Sequence, residues 1–173
     1  MKKGLLFTVA LLILASGAQA QIEKGDTEVS FMGYYITYVG GEDVVGFGSG
    51  SFQLSFGKYL TNRVIIGVAP TVSFTKMQDE WETNWSGSAY MNINFSSSAK
   101  MIPYITGQYY QYTFKIPAFA DFTDFSYINV GLGFKSFFNE YAALNTLVSY
   151  GFSLAEDAEG GILMIMTGLS FIF

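Results

Sequence analysis

Period-two alternation over unusually long runs is the feature that most constrains this chain. Val64, Ile66, Val68, Pro70, Val72 and Phe74 alternate with Gly67, Ala69, Thr71 and Ser73. Ile128, Val130, Leu132 and Phe134 alternate with Asn129, Gly131, Gly133 and Lys135. Leu163, Ile165, Thr167, Leu169, Phe171 and Phe173 share one face at the end of the sequence. Successive side chains of a strand point to opposite sides, so this periodicity predicts β-strands and not helices. Eight such runs are expected, at 27–38, 47–59, 64–75, 84–95, 102–114, 125–136, 141–152 and 162–173. Each is about twice the roughly 5–6 residues of a soluble strand and matches the roughly 9–11 residues a tilted strand needs to cross a bilayer.

The connections alternate too. Tight turns at 60–63, 96–100 and 137–140 take turns with longer loops at 39–46, 76–83, 115–124 and 153–161. Short connections at one end and long ones at the other define an up-and-down antiparallel barrel. In hydrocarbon every backbone N–H and C=O must be paired within the protein, which forces a membrane-embedded sheet to close. The outward face would then be Val, Ile, Leu and Phe, and the inward face Ser, Asn, Gln and Gly. A soluble β-sandwich also alternates, but its outer face carries charge. Here the polar face is nearly free of charge, consistent with 13% charged residues against 50% hydrophobic. The reading is an all-β, eight-stranded, membrane-embedded barrel.

Residues 1–20 have the layout of a secretory signal peptide. Lys2 and Lys3 precede an apolar run from Leu5 to Leu14, and Ala18-Gln19-Ala20 is a small-x-small cleavage pattern. The barrel domain is then 21–173, and no second stretch is long and apolar enough for a helical span.

Charges and aromatics orient the expected barrel. The long loops carry Glu42, Asp43, Asp79, Glu80, Glu82, Asp121, Asp124, Glu156, Asp157 and Glu159, whereas Lys58, Arg63, Lys100 and Lys135 lie at or near the tight turns. Long loops face outside in such barrels, so an acidic external rim is expected, open to an extracellular partner or to divalent cations held by carboxylate oxygens. The net charge of −5 argues against a nucleic-acid partner, and none is expected. Aromatics near the strand ends, Tyr34, Tyr35, Trp81, Trp85 and Tyr109 at one end and Tyr59, Phe137 and Tyr141 at the other, are assigned to two headgroup-level girdles. Glu28 and Lys135 fall on the inward face near the tight-turn end. They are expected to pair, because isolated charges buried there would be costly.

Three segments resemble the small outer-membrane barrels of the OmpX and OmpA-transmembrane-domain kind, and the likeness spans nearly all of 21–173. Phe56-Gly57-Lys58-Tyr59-Leu60-Thr61-Asn62-Arg63-Val64 resembles that family's strand–turn–strand. Ile102-Pro103-Tyr104-Ile105 resembles its strand opening, and Leu169, Phe171 and the terminal Phe173 resemble the signal read by the outer-membrane assembly machinery. The resemblance implies export to a bacterial outer membrane, with lipid and that machinery as partners. It implies a structural or surface-interaction role, with a narrow or lateral-opening passage for small or hydrophobic solutes, porin-like in the manner of OmpW, as the alternative. A lipid-modifying enzyme is disfavoured: the lipid-modifying barrels of this kind use a histidine with a serine, and the chain contains no histidine and no cysteine. Gly46-Phe47-Gly48-Ser49-Gly50 lacks the lysine and helix of a phosphate loop and reads as strand entry. No cofactor is expected.

Overall fold

The computed structural model describes residues 20–38, 47–77, 80–113, 125–154 and 161–173. The proposed leader, apart from Ala20, and most of the acidic loop residues lie outside them. Among the described residues ten strands follow in chain order: β1 Ala20–Gln21, β2 Thr27–Tyr38, β3 Phe47–Tyr59, β4 Val64–Met77, β5 Glu80–Asn94, β6 Ser98–Ala99, β7 Met101–Thr113, β8 Phe125–Phe137, β9 Ala142–Ser153 and β10 Gly161–Ile172. The eight long strands form a closed antiparallel barrel in the order β10-β2-β3-β4-β5-β7-β8-β9. Every neighbour in that order is the next long strand in sequence except at the seam, where β10 meets β2. Thr27 N–H donates to the Phe173 carbonyl at 2.7 Å and Phe173 N–H returns the bond to Thr27 at 3.0 Å. No open edge is left between the first and last long strands, which removes the usual hazard of unpaired strand groups.

Side-chain chemistry sets the tight turns. Thr61 Oγ1 accepts from the N–H groups of Arg63 and Val64, and Asn139 Oδ1 accepts from Tyr141 and Ala142. Short polar side chains that bond the backbone two or three residues on hold a hairpin turn in place. Pro70 lies inside β4 and leaves its mark on the ladder: partners run from Gln53↔Thr71 to Phe56↔Val68, passing over Leu54 and Ser55. A proline has no N–H to give, so the pairing lapses there while the register is kept.

The β4–β5 hairpin corrects one expectation. A long loop is expected over 76–83, but the strands continue, with Thr75↔Glu82, Lys76↔Trp81 and Met77↔Glu80 in register. Charged residues suggested a loop, yet Thr75, Trp81 and Thr83 suit a strand, and the rings of Phe74 and Trp81 meet across it at 5.8 Å.

Ala20 and Gln21 add a feature the alternation does not reveal. They pair with Ala99 and Ser98, and Ile22 N–H donates to the Ser97 carbonyl. Gly25, at φ 100°, turns the chain back into β2. Ile22, which stays with the barrel when the leader ends at Ala20, is thereby buried with Tyr59, Ile65, Ile102, Phe137 and Ile172 in an apolar cap at the tight-turn end, and Ala20 joins it in the uncleaved chain.

Candidate functional site

Faces alternate along the long strands as the chemistry requires. Phe52, Leu54, Phe56, Val130, Leu132, Val148, Ile165 and Leu169 project outward and are exposed. Ser30, Gln53, Ser55, Thr106, Gln108, Asn129, Asn145 and Ser149 are buried inside. The arrangement inverts a water-soluble protein, with the oily surface outside and the polar one within.

At the core of the lumen sits an ion pair. Lys135 Nζ on β8 lies 2.5 Å from Glu28 Oε2 on β2, and both side chains are essentially inaccessible, at 0% and 2%. Neighbouring side chains complete their bonding. Tyr59 OH donates to Glu28 Oε2 at 2.7 Å and accepts from Lys135 at 3.0 Å and from Asn94 Nδ2 at 3.2 Å. Ser30 Oγ donates to Glu28 Oε1 at 3.0 Å. The chain continues through Ser170 and Asn145 to Tyr104 OH, each link between 2.7 and 2.9 Å. The Lys135 ammonium also lies 5.2 Å from the Tyr104 ring centre and 5.6 Å from that of Tyr59, within the range of a cation–π contact. A buried charge is tolerable only with such company.

Further layers fill the remaining bore. Met32, Leu147 and Met166 pack with Tyr104, with Tyr34 against them. Tyr110 OH donates to Gln53 Oε1 at 2.7 Å, and Gln108 Nε2 donates to Ser88 Oγ at 2.8 Å. A cavity of only 20 Å³, bordered by Glu28, Ser55, Asn92, Thr106 and Asn145, remains between them. That is room for about one water molecule. An eight-stranded barrel is just wide enough for its side chains to fill, and the described inward side chains leave little room here.

The aromatic assignments divide by strand parity. Trp81, Trp85 and Tyr109 project outward towards the long-loop end, and Tyr141 is exposed at a tight turn. Tyr59 and Phe137, expected in the girdle at the tight-turn end, are instead buried inside. Tyr59 shares the inward parity of Ser51, Gln53 and Ser55, and Phe137 that of Lys135. Tyr34 is a third correction, since it follows Glu28, Ser30 and Met32 into the lumen. The Tyr35 side chain lies outside the described residues. Leu169, Phe171 and Phe173 all lie exposed on the outer face of the last strand and its end.

Of the acidic clusters, Asp79, Glu156, Asp157 and Glu159 lie outside the described residues, and Glu82 is an exposed β5 residue. Sequence reasoning found the ion pair but missed Tyr59, Asn94, Ser30, Ser170, Asn145 and Tyr104 as its partners. Their inward parity was the available signal.

The crystal structure of the N-terminal β-barrel domain of Pseudomonas aeruginosa OprF is similar to this fold, with a TM-score of 0.57 over 87% of this chain and 98% of that one. Sequence identity is 17%, and the likeness is one of fold. No protein family matches the chain, and no curated protein does.

Proposed function

We propose that the chain is an exported integral protein of a bacterial outer membrane, with a structural or surface-interaction role. The observation that carries this reading is the inverted barrel: a mainly apolar exterior around a polar interior packed with side chains. The OprF barrel's likeness supports the same setting. Long loops would face outward, presenting their carboxylates to an external partner or to divalent cations, and Trp81, Trp85, Tyr109 and Tyr141 would lie at headgroup level. The bonded interior favours a scaffold over a passage. The absence of histidine from the sequence favours a non-catalytic role.

Two measurements test it. The purified barrel reconstituted in planar bilayers is expected to give no discrete conductance steps; regular steps would replace the scaffold with a solute passage. Incubation with labelled lipid A or phospholipid is expected to leave both intact, and turnover would make the protein an enzyme.

A further inference from the structure

Two strand glycines have no role in the barrel's own packing. A Cβ built at most of the other described strand glycines would collide with backbone or an overlying ring, as at Gly50 beneath Phe74 or Gly67 against the β3 backbone. At Gly87 on β5 and Gly107 on β7 a Cβ would meet nothing within 4 Å. Both face outward, and neither has a backbone conformation that demands glycine. Glycine weakens a strand interior, and its use there commonly marks close approach by something else.

Gly107 and Ala89 form the floor of a groove of 930 Å³ in the outer wall, flanked by Phe56, Val68, Met91 and Tyr109. It is an open trough in the wall and not an enclosed pocket, a shape suited to a chain laid along the surface. One register row runs from Gly107 through Met91 and Ile66 to Lys58. Lys58 is exposed near the tight-turn end of β3, on the same outward face, and makes no ion pair among the described residues. The groove therefore has an apolar trough and a single cation at one end.

We infer that this groove binds one anionic phospholipid, its headgroup phosphate on Lys58 and an acyl chain along Ala89 and Gly107. The site rests on the membrane reading above. A second barrel docking by close backbone approach would use the small residues but leave Lys58 unmatched. A phospholipid uses both features, and the tight-turn end faces the inner leaflet in the proposed orientation.

Native mass spectrometry of the detergent-purified barrel, with equal phosphatidylglycerol and phosphatidylcholine added, tests the site. One lipid adduct is expected, enriched about fivefold in phosphatidylglycerol, the factor for about 1 kcal/mol per lysine near an anionic lipid surface. Lys58→Gln should bring the two lipids to parity while keeping the adduct. Gly107→Leu, whose side chain enters open space and so leaves the fold intact, should reduce binding of both. Folded wild-type barrels with no preference, or an unchanged preference in K58Q, would overturn the lipid site alone. A stoichiometric dimer in place of the adduct, abolished by G107L, would assign the groove to a second copy. A chain folded and monomeric in plain buffer would remove the membrane reading together with the site.

Discussion

Lys135 and Glu28, 107 residues apart in sequence, meet at 2.5 Å across the interior of the barrel. Neither has access to solvent, so each depends on the other and on Tyr59 for its charge to be tolerated. Removing one partner strands the second: Lys135→Met should destabilise by about 3–5 kcal/mol. Adding Glu28→Gln to that variant should recover much of the loss, since paired removal of a buried ion pair is often close to neutral. Urea unfolding of wild type, both single variants and the double variant measures the coupling. Simple additivity of the single effects would mean that the pair does not act as a unit.

Leu132 stands outward in the middle of β8, 64% exposed, while Asn129 on the same strand is buried at 3%. In a lipid-embedded barrel, Leu132→Arg should cost about 2–4 kcal/mol, the depth-dependent penalty of a charge facing hydrocarbon. Asn129→Ser, by contrast, keeps a small neutral hydrogen-bonding group on the polar lumen face and should cost less. Folding titrations in liposomes compare them. A negligible cost for Leu132→Arg would contradict the outward assignment.

Tyr104 lies across Gly133 in register, its ring covering the glycine so closely that a Cβ there would overlap it. An aromatic laid over a strand glycine in this way fixes register between neighbours. Gly133→Ala should displace the ring, lose the 2.8 Å bond to Asn145 and cost about 1–3 kcal/mol as an overpacking change. Gly87→Ala, with open space around the new methyl, should be tolerated. Denaturation midpoints of the two variants read the difference directly.

Phe173 contributes backbone bonds to the seam while its ring stays exposed. Phe173→Ala should therefore leave unfolding in detergent close to wild type but lower the amount of barrel assembled in cells. Equal losses in both measurements would make the ring a stability element and not an assembly signal.

Most of the architecture was legible in the alternation, because a single period decides strand, face and closure together. The outward set Val64, Ile66 and Val68 and the inward set Asn129 and Lys135 follow from parity alone. Parity, and not position along a strand, decides where a strand-end aromatic points. Tyr59 and Phe137 sit at strand ends where a girdle is expected, yet each falls on the inward count of its own strand. The cap around Ile22 is hidden from the alternation for a different reason. It is too short to carry a period, and its burial depends on contacts with residues as distant as Phe137 and Ile172. Likewise Glu80 and Glu82 read as loop because they are charged, although a hairpin that extends past the apolar zone can carry charge without leaving the strand conformation.

The seam between β2 and β10 has a kinetic consequence. Every other neighbouring pair of long strands can form as soon as its hairpin is made, but the cylinder has no stable intermediate with a finished rim until the final strand arrives. Until then the chain exposes two unsatisfied borders and a large oily wall, so its survival in an aqueous compartment would depend on being held apart from its own kind. Closure is the step at which the molecule stops being prone to aggregation.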